Sequence, residues 1–469
     1  MEFLHTPQMI EPISSQVAIP FDECLRILWD RGQELHGRKF DLDAIRVILA
    51  ALGNPERRYP TAIVAGTNGK GSTSAMLAAI LRSAGYRTGI YTSPHLIRVN
   101  ERIRINSQEI SDDEFAAAFT GVHYVVEKLI GAGVLSQYPS FFEYLTAVAF
   151  QHFAQAAADF AVLEVGMGGR LDATNVTDAS VAIITNVDLD HQEFLGNTLA
   201  AIAAEKAGVI KPGRPVVSGC EHPEVREVIR QKCQDAGVEL IETGGIEAAH
   251  NLFHLDGRYS FDLQLDGLRL PGVSLQMSGR FQVKNAVTAA TAAWQLARAG
   301  YKVPPEAISE GLQTSAWPGR LETIRQRPLI VLDGAHNPAA AREVAEFVRR
   351  HFEGRTVRLV YASMRDKAIG EISSLLFPLA HAVYLTRPGL DRAAPPEAIL
   401  EAAVALPRQT VIEPDPVRAL EQAVYSSLPE DVVVVAGSLF LVGAVKKAVL
   451  DRRLAPENLA PPEVLSELY

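Results

Sequence analysis

A glycine-rich loop that contains a lysine is the strongest chemical signal in the sequence. It reads AGTNGKGST over residues 65–73, between a predicted buried strand, TAIVAG, and a predicted helix over residues 72–84. Inward-turning amides, a helix N-terminus and Lys70 favour anions, so the pattern predicts a nucleotide phosphate site rather than a plain strand-to-helix turn. The spacing departs from the Walker pattern, because Gly71 stands between Lys70 and Ser72. The candidate phosphate-binding residues are Gly66, Thr67, Asn68, Gly69, Lys70, Gly71, Ser72 and Thr73.

Polar side chains also follow three other predicted strands, at Ser93, Glu164 and His191. Ligand sites of parallel α/β sheets gather at the carboxyl ends of strands, so these side chains could meet the nucleotide phosphates on a Mg²⁺ ion. Taken alone, His191 is more typical of a capping or core-rim histidine. Glu164 ends an apolar strand, where an unpaired carboxylate is expensive to bury.

The elements that must position these groups alternate between strands and helices. From residue 59 to residue 217 short β-branched runs alternate with helical stretches, which predicts a mainly parallel sheet. Residues 238–277 alternate with turn signals and predict a small antiparallel appendage. Residues 316–320, AWPGR, break the pattern and predict a hinge, after which strand–helix alternation restarts.

We therefore predict an α/β protein of two domains. The first is a P-loop domain with a mainly parallel sheet flanked by helices and an antiparallel appendage; the second is a smaller, Rossmann-like α/β domain. The predicted boundaries are an N-terminal extension at residues 1–20, a central nucleotide-binding domain at 21–314, a hinge at 315–320 and a C-terminal domain at 321–469.

Composition excludes several classes of function. The chain has 469 residues, 48% of them hydrophobic, and a formal net charge of −10. This composition excludes global disorder, and the acidic balance disfavours nucleic acid or an anionic membrane as partner. The apolar runs are short for a membrane span, and the N-terminus lacks a secretory pattern, so we expect a cytoplasmic protein. Cys24, Cys220 and Cys233 are too few and too far apart for a disulfide or zinc framework.

Eight motifs together carry a resemblance to a known family. In chain order they are GTNGKGS, TSPHL, EVGMGGRLDATN, DHQEFLG, EKAGVIKPG, GRFQVKNA, WPGRLE and DGAHNP. Their order and spacing resemble folylpolyglutamate synthase / dihydrofolate synthase of the Mur ligase superfamily, over about residues 21–450. The form GGRLD in the third motif resembles the bifunctional bacterial type.

The resemblance implies an ATP- and Mg²⁺-dependent ligase and a monomer. Such enzymes phosphorylate a folate or dihydropteroate carboxylate, and the amine of L-glutamate then attacks the acyl phosphate. It implies catalytic roles for Lys70, His191 and Lys206, with Lys206 carried as a carbamate. It also implies two magnesium sites, with Ser93, Glu164, His191 and Lys206 as ligands. Without the resemblance, Lys206 would be a helix lysine paired with a nearby glutamate.

The resemblance also assigns the remaining ligand contacts, with half of the ATP site on each domain. The implied ATP contacts beyond the loop are Asn285, Arg320, Asp333 and His336. The implied substrate contacts are Arg102, Phe142, Thr146, Arg170, Asp172 and Ser438, with Phe142 and Thr146 at the pterin and Ser438 at the incoming glutamate.

Two alternatives stay open at this point. A muramyl-peptide ligase shares the phosphate loop, but it typically carries an extra nucleotide-sugar domain for which the sequence before residue 60 is too short. An ATP-driven switch protein would hydrolyse ATP without an amine acceptor. The sequence lacks the NKxD motif of GTPases, and a second domain with its own polar strand ends argues against a simple switch.

Overall fold

A computed structural model describes residues 17–30 and 41–451. Within these ranges, eight strands form the largest sheet, in the spatial order β4-β3-β2-β5-β1-β6-β7-β8. Its strands are β1 (Thr61–Ala65), β2 (Thr88–Tyr91), β3 (Ile103–Ile105), β4 (Gln108–Glu109), β5 (Phe160–Glu164), β6 (Val181–Ile184), β7 (Val216–Ser218) and β8 (Leu240–Glu242). Six neighbouring strands, β2, β5, β1, β6, β7 and β8, run parallel. The β3–β4 hairpin adds an antiparallel edge beside β2.

Helices cover both faces of this sheet. In chain order they are α1 (Phe21–Asp30), α2 (Asp43–Ala51), α3 (Lys70–Ser83), α4 (Asp112–Gly131), α5 (Phe141–Gln155), α6 (Gln192–Leu195), α7 (Leu199–Lys206), α8 (Pro223–Ala236), α9 (Phe281–Arg298) and α10 (Pro305–Thr314). Alternate strand residues divide between the faces: Ala161 and Leu163 pack with α4 and α5, whereas Phe160 and Val162 pack with α3 and α9. Burial on both faces explains the uninterrupted apolar runs of the strands.

A separate antiparallel sheet corrects the predicted boundary of the appendage. It consists of β9 (Ala249–Leu255), β10 (Arg258–Leu265) and β11 (Leu268–Ser274). The prediction began at residue 238, but β8 pairs with β7 in parallel and so belongs to the main sheet. The error has a physical reason: α8 supplies a crossover between β7 and β8, and a partly buried three-residue strand looks the same in sequence in either sheet.

Residues 322–436 contribute six strands to a third sheet, ordered β12-β13-β17-β14-β15-β16. Its elements are β12 (Glu322–Gln326), β13 (Leu329–Leu332), α11 (Pro338–His351), β14 (Val357–Tyr361), α12 (Ile369–Leu376), β15 (Ala382–Leu385), α13 (Pro396–Ala402), β16 (Gln409–Ile412), α14 (Pro416–Tyr425), β17 (Val432–Ala436) and α15 (Leu439–Leu450). The sequence runs LIVLDGA, TVRLVYA, AVYLTR and DVVVVAG, which predict four strands of the restarted alternation, form β13, β14, β15 and β17. The prediction missed the two edge strands, β12 and β16, which are more polar and partly exposed.

The fold is therefore the predicted α/β arrangement with two principal sheets. We call the part before residue 315 the N-terminal domain and the part from residue 321 onwards the C-terminal domain. The predicted extension at residues 1–20 lies outside the described residues up to residue 16. The three cysteines are buried and free. No helix in the described part of the chain is long and apolar enough to cross a membrane.

Candidate functional site

The phosphate loop joins β1 to α3 and is held in place by the end of β6. Thr67 N donates to Asn186 O at 3.0 Å, and Asn68 N donates to Asn186 Oδ1 at 2.7 Å. Thr185 Oγ1 donates to Asn68 O at 2.7 Å. These bonds come from the neighbouring parallel strand, so the N-terminal domain alone fixes the shape of the loop.

Two glycines of the loop are required by close contacts. Gly66 has a φ of 152°, and a Cβ there would lie 1.9 Å from Thr185 Oγ1. Gly69 has a φ of 80° at the start of α3, and a Cβ there would lie 2.4 Å from Asn285 Oδ1. Only glycine tolerates both the conformation and the crowding. The contact also brings Asn285 of α9 against the loop, where the resemblance expected a nucleotide contact.

A buried lysine, Lys206, and a half-buried lysine, Lys70, converge on one carbonyl of the loop. Lys70 Nζ donates to Gly66 O and Thr67 O, each at 3.1 Å, and Lys206 Nζ donates to Gly66 O at 2.7 Å. Burial lowers the pKa of Lys70, and burial together with the charge of Lys70 lowers the pKa of Lys206 to about 7. Two desolvated amines at one carbonyl place positive charge at the loop, as a polyphosphate site requires.

Glu164 ends β5 beside the loop that contains Ser93. Its Oε2 accepts a hydrogen bond from Ser93 N at 3.2 Å, and its side chain is only 4% exposed. Burial raises the pKa of Glu164 to about 7, against the opposing charge of Lys70. A carboxylate this desolvated is short of positive charge. It fits a hard divalent cation that also takes oxygens from a serine, water and phosphates.

His191 and Asp190 lie at the end of the β6 segment. His191 has a φ of 49° and precedes α6, and its Nε2 is 4.0 Å from Asp190 Oδ2. Burial lowers the pKa of His191 to about 4, so the ring is neutral and able to donate a lone pair. Across residues 17–30 and 41–451, no group of three or more His, Cys, Asp or Glu side chains is arranged to hold a metal ion. A site built here therefore needs other oxygen ligands as well.

Arg320, at the end of the segment between the domains, lies at the same place as Asp333 and His336 of the C-terminal domain. The charge of Arg320 acts on both Lys70 and Glu164. Asp333 follows β13 and is 3% exposed; it accepts hydrogen bonds from Leu321 N at 2.9 Å and from the amide two residues onward at 2.8 Å. His336 Nε2 lies 3.8 Å from Asp190 Oδ2. Three predicted ATP contacts thus gather opposite the phosphate loop.

Direct bonds between the two domains were missed by the sequence analysis. Lys367 Nζ donates to Asp190 Oδ1 at 2.8 Å, with both side chains about one-tenth exposed. Asn337 Nδ2 donates to Asn68 Oδ1 at 3.0 Å, and Asn68 Nδ2 donates back to Asn337 Oδ1 at 3.2 Å. Asp190 and Asn337 lie inside motifs that the sequence analysis quoted, whereas nothing in the sequence around Lys367 marks it.

The predicted pterin contact Phe142 is on α5, and its ring packs against the glycine loop that follows β5. A Cβ on Gly166 would lie 2.7 Å from the Phe142 ring, and the Tyr91 ring is 5.9 Å away, centroid to centroid. Thr146, one turn later, is fully buried, and its Oγ1 donates to Phe142 O at 2.8 Å. This bond favours a role for Thr146 in fixing Phe142.

Arg102 is buried beside His95 and an aromatic pair. Its Nε donates to His95 Nδ1 at 2.8 Å, and its guanidinium lies 5.3 Å from the ring centroid of Phe141. Trp29 stacks on Phe141 at 5.1 Å and is half exposed. Burial and the charge of Arg102 lower the pKa of His95 to about 3, so His95 is a neutral acceptor. Arg102 and Phe142 thus both lie among the aromatic rings around α5.

Arg170 and Asp172 are both held by protein groups. Arg170 forms a forked ion pair with Glu205, at 2.9 Å and 3.1 Å. Asp172 is buried and accepts from Met167 N at 3.0 Å and Thr174 N at 3.0 Å. Burial raises the pKa of Asp172 in spite of these bonds. Asp172 therefore braces the glycine loop of residues 166–169, and Arg170 holds the residue next to Lys206.

The remaining predicted residues lie at helix starts. Ser72 Oγ accepts from Gln282 Nε2 at 3.2 Å, and Thr73 Oγ1 is buried with no protein partner among the described residues. Ser438 caps α15, its Oγ accepting from Phe440 N at 3.2 Å. The ligand roles of all the site residues stay predictions.

Two family models match the chain. One is the Mur ligase middle domain, over residues 64–293, and the other is the Mur ligase glutamate ligase domain, over residues 319–439. The two matches divide the chain on either side of the segment that links the two domains.

Curated relatives and solved structures match most of the chain. A dihydrofolate synthase/folylpolyglutamate synthase of Bacillus subtilis is 33% identical over 423 residues, 89% of this chain and 97% of the relative. Its namesake in Escherichia coli is 33% identical over 95% of this chain and 99% of the relative. The structure of a Mycobacterium tuberculosis folylpolyglutamate synthase complexed with ADP superposes with a TM-score of 0.84 at 32% identity, covering 91% of this chain and 98% of that one. FolC of E. coli in complex with DHPP and ADP gives a TM-score of 0.78 at 31% identity, over 96% of this chain and 100% of that one.

Proposed function

Because the chain belongs to the Mur ligase family, in its dihydrofolate synthase/folylpolyglutamate synthase group, we propose that it adds L-glutamate to folates and to dihydropteroate. It is an ATP-dependent acid–amino-acid ligase, and ATP and Mg²⁺ are its cofactors. The first activity extends the glutamyl tail of folates, and the second makes dihydrofolate. Relatives named for both activities support the pair, although the Lacticaseibacillus casei relative is named for folylpolyglutamate synthesis alone.

One observation carries the proposal: the phosphate loop and the polar strand ends of the C-terminal domain are in direct contact. The paired amides of Asn68 and Asn337 join them, and Arg320 and His336 lie at the same junction. A nucleotide held by the loop would therefore have its terminal phosphate between the domains. This position is where an acid and an amine, each carried by one domain, can meet.

The chemistry follows from the leaving group. A carboxylate does not react with an amine, because it would have to expel oxide or hydroxide. When a carboxylate oxygen of the folate acid attacks the γ-phosphorus, ADP leaves and an acyl phosphate forms. The amine of glutamate then attacks the acyl carbon, phosphate leaves with the carboxylate oxygen, and the amine releases a proton. Lys70, the loop amides and Arg320 stabilise charge on the phosphoryl oxygens, and contact between the domains excludes water from the acyl phosphate.

The residues beside the loop fit Mg²⁺. Ser93, Glu164 and His191 would hold one ion. Glu164 supports this, because burial raises its pKa in spite of the charges of Lys70, Arg320 and Arg102, and a bound cation would stabilise the carboxylate. The ion supplies neutralisation of phosphate charge when bound. The proposed second site depends on Lys206 as a carbamate.

Lys206 has the surroundings that carbamate formation requires. Its amine is buried, forms no ion pair with a carboxylate in the part of the chain that the structure describes, and has a pKa lowered to about 7, so much of it is neutral at physiological pH. A neutral amine adds to the carbon of CO₂ and loses one proton, which converts a cation into an anion. That anion would sit beside Lys70 and relieve the repulsion between the two lysines.

The acid substrate fits the ring-lined region near α5. Phe142 offers an aromatic face for the pterin, and Arg102 offers positive charge for an acidic group. Ser438, at the N-terminus of α15, is the proposed contact for the incoming glutamate, because a helix N-terminus favours a carboxylate. The family membership also supports a cytoplasmic monomer without nucleic-acid or membrane partners. The muramyl-peptide and switch alternatives find no support among the matched relatives.

The test is ADP release from ATP and Mg²⁺ with glutamate and one of three additions: dihydropteroate, tetrahydrofolate or no acceptor. Mass spectrometry identifies the products. We expect turnover and one added glutamyl group with both acceptors. Turnover with tetrahydrofolate alone would overturn the dihydrofolate synthase activity. Equal ADP release in all three reactions, without a glutamyl product, would overturn the ligase.

A further inference from the structure

Trp317, in the segment between the domains, lies directly on the phosphate loop. A Cβ placed on Gly71 would be 2.7 Å from Trp317 Nε1 and 2.9 Å from its Cε2. Gly71 is the residue that interrupts the Walker spacing between Lys70 and Ser72. The first turn of α3 thus has no side chain at the point where the indole packs.

Trp317 is anchored to the N-terminal domain on other sides as well. Its ring packs against the apolar cluster that contains Met76 and Leu77 of α3. The guanidinium of Arg104, on β3, lies 5.4 Å from the ring centroid. Arg104 is itself held, because its Nε donates to Glu101 O at 3.0 Å. The indole is therefore held by β3, by α3 and by the phosphate loop.

Two residues later the chain is anchored to the C-terminal domain instead. Gly319 N donates to Glu322 Oε2 at 2.8 Å, and Gly334 N donates to Gly319 O at 2.9 Å. Gly319 has a φ of 72°, and a Cβ there would lie 3.2 Å from Val442 Cγ1 of α15 and 3.3 Å from Leu96 Cδ1. Leu96 comes from the N-terminal domain but packs on an apolar cluster of the C-terminal domain. Only Pro318 separates the last residue anchored to one domain from the first residue anchored to the other.

From this geometry we infer that Trp317 is a positioning residue that couples the orientation of the C-terminal domain to the phosphate loop through Gly71. A rotation about Pro318 and Gly319 acts on the indole, and the indole bears on the turn of α3 that carries Lys70. The inference rests on the proposed ATP site, since the loop is the part that receives the coupling. It also gives a physical reason for the glycine at position 71: a larger residue would displace the tryptophan.

The decisive test places Gly71→Ala in two backgrounds. Alanine is a better helix former than glycine, so Gly71→Ala by itself favours α3. In the parent chain we nevertheless expect Gly71→Ala to raise the Kd for ADP and the KM for ATP about tenfold, because a misplaced contact group weakens binding steeply. In the Trp317→Ala background the three atoms nearest to the new methyl group, all of them in the indole, are gone. There Gly71→Ala should change the Kd for ADP and the KM for ATP less than about twofold, relative to Trp317→Ala alone.

Trp294→Ala is the matched control. Trp294 is also partly buried and packs on the same apolar cluster, but its Nε1 donates to Asp266 O rather than approaching the loop. We expect it to lower the thermal midpoint as Trp317→Ala does and to leave the Kd for ADP unchanged. Trp317→Phe, which keeps a ring over Gly71, should restore most of the affinity lost in Trp317→Ala.

Two results would overturn the coupling. One is an equal cost of Gly71→Ala in both backgrounds, and the other is a Trp317→Ala chain that loses stability but keeps the parent Kd for ADP. If the parent chain itself fails to bind ADP, the proposed ATP site fails instead. The two failures are therefore distinguishable from binding data alone.

Discussion

The two halves of the proposed ATP site are built in different ways. The half in the N-terminal domain is held within that domain, by bonds from Thr185 and Asn186 to the phosphate loop. The half in the C-terminal domain reaches the loop by contacts that cross between domains, such as Asn68–Asn337 and Asp190–Lys367. The first half takes most of its shape from bonds within its own domain, and the second half works only when the domains meet.

This difference separates two kinds of defect. We call the half in the N-terminal domain the preformed half. A change in the preformed half should weaken nucleotide binding itself. A change in the crossing contacts should leave much of the binding intact and slow the chemical step, because assembly of the site is what suffers.

The largest effect is expected from Lys70→Ala, in the preformed half. Removal of a half-buried cation at the proposed phosphate site should lower kcat/KM by about a thousandfold or more and weaken ADP binding. Steady-state kinetics and calorimetric titration with ADP measure both. Lys128→Ala, an exposed lysine on α4, is the control and should match the parent. Normal ADP affinity in Lys70→Ala would remove the loop from the proposed site.

Lys367→Met tests the other half. Loss of the nearly buried ion pair with Asp190 should lower kcat by about a hundredfold and change the Kd for ADP by less than about threefold. Asp190→Asn should have a similar effect, and the double variant should be little worse than either single variant. Lys446→Met removes an ion pair with Glu322 inside the C-terminal domain and should keep the parent kcat. A loss of ADP binding as large as the loss of kcat would contradict the division between the two halves.

A third prediction concerns pH and CO₂ at Lys206. Since burial lowers the pKa of Lys206 to about 7, the ammonium form dominates below that pH and cannot attack CO₂. The carbamate and the CO₂-dependent part of kcat should fall as the pH drops through 7 and should be near their maximum by about pH 8. Carbon-13 NMR with labelled bicarbonate detects the adduct, and Lys206→Arg should show none. An adduct that persists unchanged at pH 6 would contradict the pKa that burial gives this amine.

The smallest effect is expected away from the phosphates, at the proposed pterin face. Phe142→Ala should raise the KM for dihydropteroate about tenfold and leave the KM for ATP unchanged. Thr146→Val keeps the shape of the buried side chain and removes its bond to Phe142 O, so its effect should be smaller still. An equal rise in the KM for ATP would place Phe142 in the nucleotide half of the site.

The preformed half was also the more predictable from sequence. The phosphate loop, β1 and α3 follow one another in the chain, and glycines, lysine and apolar runs give local signals. Glu164 was predictable because a carboxylate after an apolar strand needs a partner. Lys206 gave no such signal by itself and entered through the resemblance of its motif.

The crossing contacts were predictable only in part. Asp190 lies next to His191 in a recognised motif, but its partner Lys367 is 177 positions away and lies in a stretch with no distinctive pattern. Such a pair depends on how two sheets are oriented, which hydrophobic periodicity does not encode. The edge strands β12 and β16 and the placement of β8 were missed for a related reason: partly exposed strands carry weak apolar patterns.

The most direct test of the account follows one oxygen atom. The carboxylate of the folate acid is labelled with ¹⁸O, and the phosphate released with each amide is analysed by mass spectrometry. If the assembled site forms an acyl phosphate, each phosphate carries one labelled oxygen, in equal number to the glutamylated product. Unlabelled phosphate formed alongside the product would contradict the account, because the acid would then not have been activated by phosphorylation.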